Sequence, residues 1–233
     1  MDDFHPAAGT AITDEAVSRQ RLEALLAEAP GPLVFDGCDF AGQDLSRLDL
    51  RGSVFRRCVF TEASFYAATL SGTVWSNCRG GQADFEAAEL VDAAFDHCDL
   101  NNSAWRRARL SSASFRHSKL TGANFEEAAA LGLVFADTLL VGCDLRKMSF
   151  RKLRLQGLDF ADADVSGCDF RDAVFEGGSL REAHIKGARF DGADLREADL
   201  GGLKLLDAKF FKGATISAAQ AGALLAELGL RVD

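Results

Sequence analysis

The chain has 233 residues, 48% of them hydrophobic, and a formal net charge of −9 at pH 7. This acidic balance argues against general binding to nucleic acid or to an anionic membrane. The longest apolar stretch, residues 128–136, is too short to span a bilayer, and the acidic start lacks the features of a signal peptide. We therefore expect a cytoplasmic protein that makes no membrane contact.

The first predicted element is a helix over residues 14–29. Thr13 is a suitable N-cap, Asp14 suits the positive start of a helix, and Pro30 ends it. Its larger apolar side chains share one face: Leu22, Leu25, Leu26 and Ala29. We expect residues 1–32 to form a tail and an N-terminal capping helix.

A five-residue period then runs from Phe35 to Phe210 without a slip in register. Every fifth residue is Phe, Leu, Trp, Val or Ile, and the two exceptions are Gly80 and Ala130. This period matches neither the 3.6 of a helix nor the 2.0 of a flat strand. A repeat held this long indicates a solenoid, which is a shape and not yet a function.

Cysteine use agrees with a packing role inside this repeat. All six cysteines stand two residues before a core position, where other repeats carry Ala: Cys38, Cys58, Cys78, Cys98, Cys143 and Cys168. Reduced buried Cys behaves as a small hydrophobe. Sulfurs arranged along a line do not surround a metal, so we expect neither a zinc site nor disulfides in a reducing compartment.

The repeats resemble those of the pentapeptide-repeat family, whose consensus is roughly Ala-(Asp/Asn)-Leu-X-X. Clear matches occur at residues 83–87, 123–127, 193–197 and 198–202. The resemblance implies an all-β solenoid, a right-handed quadrilateral β-helix with four pentapeptides per coil. Over residues 33–212 this gives about nine coils, closed by N-terminal and C-terminal capping helices.

Residues twenty apart test this coil length, because they should stack in one column. One column is largely aromatic: Phe35, Phe55, Trp75, Phe95, Phe115, Phe135, Leu155, Phe175 and Leu195. A second column changes from Leu to Phe on either side of Ala130. Columns this uniform favour four repeats per coil, since stacked aromatic rings fill a core in well-defined geometry.

The last predicted element is a helix within residues 213–233. Ser217 and Gln220 form a capping box, and Gly229 ends the helix near Leu228. Its apolar face carries Leu224, Leu225 and Leu228. The segment is similar to the C-terminal tail of the quinolone-resistance pentapeptide proteins, which implies end-to-end dimerisation. The helix can also act as a lid over the last coil; we favour the homodimer.

The chain shows no catalytic motif. His97 and His117 stand one coil apart beside Asp96, but outward side chains on a flat face should diverge, so we expect no metal site. Gly80-Gly81 lacks the Lys-Ser/Thr pair of a phosphate loop. We expect a non-enzymatic protein that needs no cofactor.

Surface charge forms three bands along the rod. Residues 35–100 hold 11 acidic and 5 basic side chains, residues 101–155 hold 4 and 10, and residues 156–210 hold 12 and 7. The middle band, which we call the basic belt, comprises Arg106, Arg107, Arg109, Arg116, Lys119, Arg146, Lys147, Arg151, Lys152 and Arg154. Chance clustering on a solvated surface explains it equally well. Aromatic side chains do not interleave with it, so we expect no direct nucleic-acid binding.

At the position directly before each core residue, one of the four columns is rich in valine. The corresponding positions on the other three sides are mostly polar. The valines form a candidate partner face: Val34, Val54, Val74, Val134 and Val174. Either β-branched residues are favoured there by the extended backbone, or the stripe is a docking surface.

Two functions follow as hypotheses. The resemblance to the quinolone-resistance proteins implies a DNA mimic that modulates DNA gyrase or topoisomerase IV, with a candidate acidic surface at Asp159, Asp164 and Asp169. The basic belt and the lack of projecting loops argue against it. The alternative is a structural scaffold or adaptor that holds a protein partner along the valine face.

Overall fold

The computed structural model describes residues 11–28, 31–202, 205–227 and 229–231. Nine short strands recur along it: β1 (Ile12–Thr13), β2 (Val34–Asp36), β3 (Val54–Arg56), β4 (Val74–Ser76), β5 (Ala94–Asp96), β6 (Ser114–Arg116), β7 (Val134–Ala136), β8 (Arg154–Gln156) and β9 (Val174–Glu176). The helices are α1 (Arg19–Glu28), a 3-10 helix (Leu205–Phe211) and α2 (Ala218–Glu227). Neither α1 nor α2 has the length and apolar content that crossing a membrane takes, within the part of the chain described.

The coil length of twenty residues is confirmed by the strand register. Phe35 lies opposite Phe55, and Phe55 lies opposite Trp75, in parallel pairs. In most turns three further positions join neighbouring coils through single parallel bridges, for example Asp39 with Val59, Asp44 with Ser64 and Asp49 with Thr69. The molecule is therefore a parallel, four-sided β-solenoid; we call the strand-bearing side A and the next three sides B, C and D in chain order.

Stacked aromatic rings fill the solenoid axis. Phe85 stacks on Trp105 with ring centroids 4.1 Å apart and planes 5° apart, and Trp105 meets Phe95 edge to face at 5.5 Å. The buried indole N–H of Trp105 donates to the hydroxyl of Ser103 at 2.7 Å. Each ring thus buries its apolar area at a favoured angle, and the polar indole group is satisfied.

The six cysteines are free and buried. The Cys143 thiol donates to the carbonyl of Leu120 at 2.9 Å, and the Cys168 thiol donates to the carbonyl of Leu145 at 3.0 Å. Burial raises the pKa of both thiols to about 12. They act as small packing residues, because a thiol held protonated is a poor nucleophile.

The N-terminal helix begins later than the sequence predicts. It starts at Arg19, not Asp14, and the Ser18 hydroxyl accepts from the N–H of Arg21 at 3.2 Å in place of the predicted Thr13 cap. Strand β1 instead pairs with β2, and the N–H of Val17 donates to the carbonyl of Asp39 at 2.8 Å. Pairing with the otherwise open edge of the first coil outweighs the helical tendency of this segment.

Strand-bearing turns number eight, from β2 to β9, and the expected ninth turn ends in the 3-10 helix. Phe211 of that helix stacks on Phe190 at 4.5 Å and closes the core. The capping box is confirmed: the N–H of Ser217 donates to Gln220 Oε1 at 2.6 Å, and the N–H of Gln220 donates to the Ser217 hydroxyl at 3.2 Å.

Candidate functional site

The ladder of hydrogen bonds between coils is interrupted over several consecutive positions in the middle of the solenoid. In the coil before it, the N–H of Leu110 donates to Ala129 and that of Ser112 donates to Leu131, at 2.8 and 2.9 Å. The corresponding bonds from Ala130 and Gly132 to the next coil are absent among the described residues. We call this interruption the seam; it separates residues 127–134 from residues 147–154.

Both ends of the seam close normally. Parallel bridges join Asn124 to Asp144 on side C and Leu139 to Asp159 on side B. On side A, strand β8 does not pair with β7, so the strands form a seven-stranded and a two-stranded sheet. The predicted register is thus unbroken, but the coils part over sides D and A.

Side-chain size explains why the coils part here. Ala130 occupies a core position where Leu110 and Phe150 stand in the neighbouring coils. Leu133 and Leu153 occupy the position two residues before the core, which holds small side chains in most coils of that column: Ser53, Thr73, Ala93, Ala113, Ala173 and Ala193. The core column is therefore underfilled at Ala130, and the column of Leu133 and Leu153 is overfilled. The two coils cannot close on each other there without strain.

A cleft of about 790 Å³ opens at the seam. Three apolar side chains beside it are unusually exposed: Leu131 is 84% exposed, Val134 42% and Leu153 40%. Met148 and Leu133 form deeper, buried parts of the lining. Sequence reasoning missed this site, although Ala130 as an exception to the repeat was its signal.

Charged side chains surround the cleft. Arg146 donates to both oxygens of Asp144, the shorter contact being 2.5 Å, and lies 3.2 Å from Glu126. Lys147 and Arg151 line the cleft, and neither forms an ion pair with any described residue. Glu127 also lines the cleft and forms no ion pair with a described residue, so the mouth offers two unpaired cations, Lys147 and Arg151, beside one unpaired carboxylate.

Five of the ten cations of the basic belt form ion pairs with acidic side chains, either in a neighbouring coil or in the same turn. The pairs are Arg106 with Glu126, Arg107 with Glu86, Arg109 with Glu89, Arg146 with Asp144, and Arg154 with Glu176. The free positive charge is therefore smaller than the sequence count suggests, and part of it lies beside the cleft.

The valines of the candidate partner face all begin strands on side A, but they are not equally accessible. Val34, Val74 and Val174 are half-buried, and Val134 is exposed. Val54 is only 3% exposed and offers no surface to a partner. A continuous stripe is therefore absent, and the accessible valine lies beside the seam.

The acidic candidates Asp159, Asp164 and Asp169 lie on three successive sides, B, C and D. Each carboxylate accepts from the backbone N–H two residues on, at 2.9, 2.9 and 3.1 Å. Hydrogen bonds from Arg171 lower the pKa of Asp169 to about 2. These side chains therefore stabilise turns, and any acidic surface they form wraps around the rod.

The C-terminal candidates divide between two roles. Leu224 packs against the solenoid core, whereas Leu225 is 37% exposed. Leu228 lies outside the described residues. The packing of Leu224 fits a helix that covers the last coil as a lid. The exposed Leu225 is available to contact a second copy of the chain.

Three residues on side A bring possible metal ligands together, against the expectation that they diverge. The rings of His97 and His117 stack with centroids 4.6 Å apart, and Asp96 contacts both at about 3 Å. Ligand atoms of the three residues lie within 4.8 Å of one another. Burial opposes ionisation of Asp96, but hydrogen bonds from His117 and His97 outweigh it and lower its pKa. Contacts of the two imidazole rings with the Asp96 carboxylate on the exposed surface account for this arrangement.

The five-residue register and four-sided turns define a repeat protein. The chain belongs to the pentapeptide-repeat family: the family model described as pentapeptide repeat region matches residues 33–105, 48–125 and 108–190, and the model described as pentapeptide repeats (8 copies) matches residues 179–210. Among curated proteins, none matches this chain.

Two solved structures of one plasmid-mediated fluoroquinolone resistance protein, QnrB1, share the fold. Full-length QnrB1 superposes with a TM-score of 0.65 at 23% identity, covering 94% of this chain and 97% of QnrB1. A trypsin-treated variant superposes with a TM-score of 0.65 at 24% identity, covering 87% and 98%. The similarity extends over nearly the whole length of both proteins.

Proposed function

We propose that this chain is a non-enzymatic, cytoplasmic binding protein that occupies the DNA site of a type II topoisomerase, DNA gyrase or topoisomerase IV. The observation that carries the proposal is the four-sided rod, whose five-residue register continues across the seam. From β2 to β9 there are seven coil steps of about 4.8 Å, a length of about 34 Å. One turn of duplex DNA is about 34–36 Å long.

The negative charge of the protein also supports binding in the DNA site of a topoisomerase. The net charge is −9, and the basic belt is half neutralised by its own ion pairs. Acidic side chains such as Asp159, Asp164 and Asp169 recur at the turns of successive sides, although Asp169 is paired with Arg171, so negative charge at Asp159 and Asp164 turns with the rod from side B to side C. A DNA-binding groove is electropositive, and complementary charge speeds and orients the encounter.

Similarity to QnrB1 adds to this argument at the level of the fold. Fluoroquinolones act on type II topoisomerases, and QnrB1 is a fluoroquinolone resistance protein. An end-to-end homodimer through α2 would double the rod, so that two copies extend over about two turns of duplex DNA.

A gyrase supercoiling assay tests the proposal, with the purified protein titrated in the presence and absence of a fluoroquinolone. We expect inhibition of supercoiling or protection from the drug. The informative variant is Asp159→Asn/Asp164→Asn/Asp169→Asn. Asn124 already makes the same turn contact, accepting from the N–H of Glu126 at 2.8 Å, so the substitution removes charge and keeps the turn acceptors. At Asp169 it also removes the ion pair with Arg171, so circular dichroism melts must show that the variant is folded.

The control is Arg116→Gln/Lys119→Gln, which alters two belt cations that form no ion pair among the described residues. The asparagine variant should lose activity on gyrase, and the control should retain it. No effect of the wild-type protein on supercoiling or on drug action would contradict the proposal.

A second candidate is a scaffold or adaptor that binds its partner along side A. It is favoured by Val134, which is exposed on this side, and by the half-buried Val34, Val74 and Val174. Val34→Ser/Val74→Ser/Val174→Ser separates the two candidates in the same assay. A DNA mimic should retain its effect on gyrase in this variant, whereas loss of the effect would assign binding to side A.

A further inference from the structure

We infer that the cleft at the seam binds an extended peptide segment of another protein, apolar at its centre and acidic at its ends. The segment would add as a strand between the two parted coils. This site lies beyond the proposed topoisomerase function and does not depend on it.

The backbone provides the first argument. In the coils on either side, the N–H groups equivalent to those of Ala130 and Gly132 donate to the next coil: Leu110 and Ser112 before the seam, and Phe150 and Lys152 after it. At the seam these donors, and those of Ser149 and Arg154, have no backbone acceptor among the described residues. Open strand edges of this kind pair with added strands.

An extended chain satisfies these groups where a helix would not. The backbone of a helix is already paired within itself, so it leaves the donors at Ala130 and Gly132 without a partner. An extended segment presents carbonyl and N–H groups at the spacing of neighbouring strands, about 4.8 Å. The occupant is therefore inferred to be a strand.

Size and polarity of the cleft define the centre of the segment. A volume of about 790 Å³ lies within the range of about 300–1,000 Å³ for ligand pockets. Leu131, Val134 and Leu153 are exposed in the free protein and would lose contact with water on binding. Val, Ile or Thr side chains suit such a lining, because they also favour the extended conformation.

Charge defines the ends of the segment. Lys147 and Arg151 line the cleft and Lys152 follows directly, and none of the three forms an ion pair with a described residue. Arg146 is already held by Asp144, so it contributes less. Asp or Glu in the peptide would pair with the free cations and fix its direction and register.

Selection from a phage-displayed library of random 12-residue peptides on the full-length protein tests this inference. Enriched peptides should contain β-branched residues flanked by Asp or Glu. Synthetic versions should bind in fluorescence anisotropy, and Lys147→Glu/Arg151→Glu should weaken binding at least tenfold. The matched control, Arg116→Glu/Lys119→Glu, carries the same change of charge outside the cleft and should bind as the wild type does.

A second variant tests the backbone pairing. Ala130→Leu/Leu153→Ala fills the empty core position and relieves the overfilled one, so it should close the seam and abolish peptide binding. Circular dichroism melts confirm that each variant is folded. The inference is overturned if no peptide is enriched, if enriched peptides bind both charge variants equally, or if single-stranded oligonucleotide binds the cleft cations in place of peptide.

Discussion

Leu133 and Leu153 occupy the same position of successive coils, yet Leu133 is 6% exposed and Leu153 is 40% exposed. In most other coils this position holds Ala, Ser or Thr beneath the core residue. Two leucines in succession exceed the space between coils, and the second is displaced outward. Ala130, which fills too little of the adjacent core column, leaves the coils without the packing that would draw them together.

Amide hydrogen exchange should detect the seam directly. We expect the N–H groups of Ala130 and Gly132 to exchange about fivefold faster or more than those of Leu110 and Ser112, because an inter-coil hydrogen bond contributes about 1 kcal/mol. Exchange monitored by NMR at single-residue resolution makes the comparison within one sample.

Phe150 and Lys152, one coil later, serve as the control, since both donate normally at 2.8 and 2.9 Å. Equal protection of all three coils would show that the ladder is continuous and that the seam is closed in solution.

Much of the fold could be predicted because the repeat encodes it locally. The large residue at every fifth position determines the columns, and Ser217 with Gln220 determines the start of α2. The start of α1 could not be predicted in the same way, because residues 12–16 pair with residues of the first coil that lie 23 positions later, such as Ile12 with Phe35. Tertiary pairing outweighed local helix signals there.

The candidate site was less accessible to sequence reasoning. Register shows which residues face one another, but the gap between coils depends on summed side-chain volumes in two adjacent columns. Asp159, Asp164 and Asp169 were grouped by spacing, and the same spacing places them on different sides. The divergence expected for His97 and His117 was wrong, because Asp96 contacts both rings.

Gln220 should contribute strongly to the closure of the C-terminal end. Its side-chain amide donates to the carbonyls of Leu195 at 2.8 Å and Ala198 at 2.7 Å. The Leu195 carbonyl also accepts from the N–H of Ala198 at 3.0 Å, whereas the Ala198 carbonyl has no other donor among the described residues. Gln220→Ala should lower the free energy of unfolding by about 2 kcal/mol, since the Ala198 carbonyl loses its donor and the Ser217 N–H loses its acceptor. Urea unfolding followed by circular dichroism measures the change.

Gln156→Ala is the matched control for that substitution. Gln156 is exposed and makes a single long contact of 3.5 Å with Asp137, so its loss should change stability by less than about 0.5 kcal/mol. Similar losses for the two variants would argue that the Gln220 contacts do not hold the end of the solenoid.

Asp169 and Arg171 should make stability depend on pH in a narrow acid window. Hydrogen bonds from Arg171 lower the pKa of Asp169 from its ordinary value of 3.8 to about 2. A lowered folded-state pKa contributes stability that is complete above pH 3.8 and is lost as the pH falls towards 2. In Arg171→Gln the carboxyl pKa should rise towards 3.8 in a carbon-13 NMR titration, and this pH dependence should diminish.

Arg116→Gln provides the comparison, since Arg116 forms no ion pair with a described residue. It should leave the titration of Asp169 unchanged. An Asp169 pKa near 3.8 in the wild-type protein would mean that the Arg171 contact does not persist in solution.

The exposed part of α2 should determine the oligomeric state. Leu225 is 37% exposed whereas Leu224 packs on the core, so Leu225→Glu should disrupt an end-to-end dimer without loosening the lid. We expect the substitution to weaken the dimer by about tenfold or more, as loss of an apolar contact at an interface centre does. Ala223→Glu places the same charge at another exposed position of the helix and should leave the dimer intact. Light scattering coupled to size-exclusion chromatography distinguishes the mass of the monomer from that of the dimer. If the wild-type protein is monomeric throughout the concentration range, α2 acts as a lid alone.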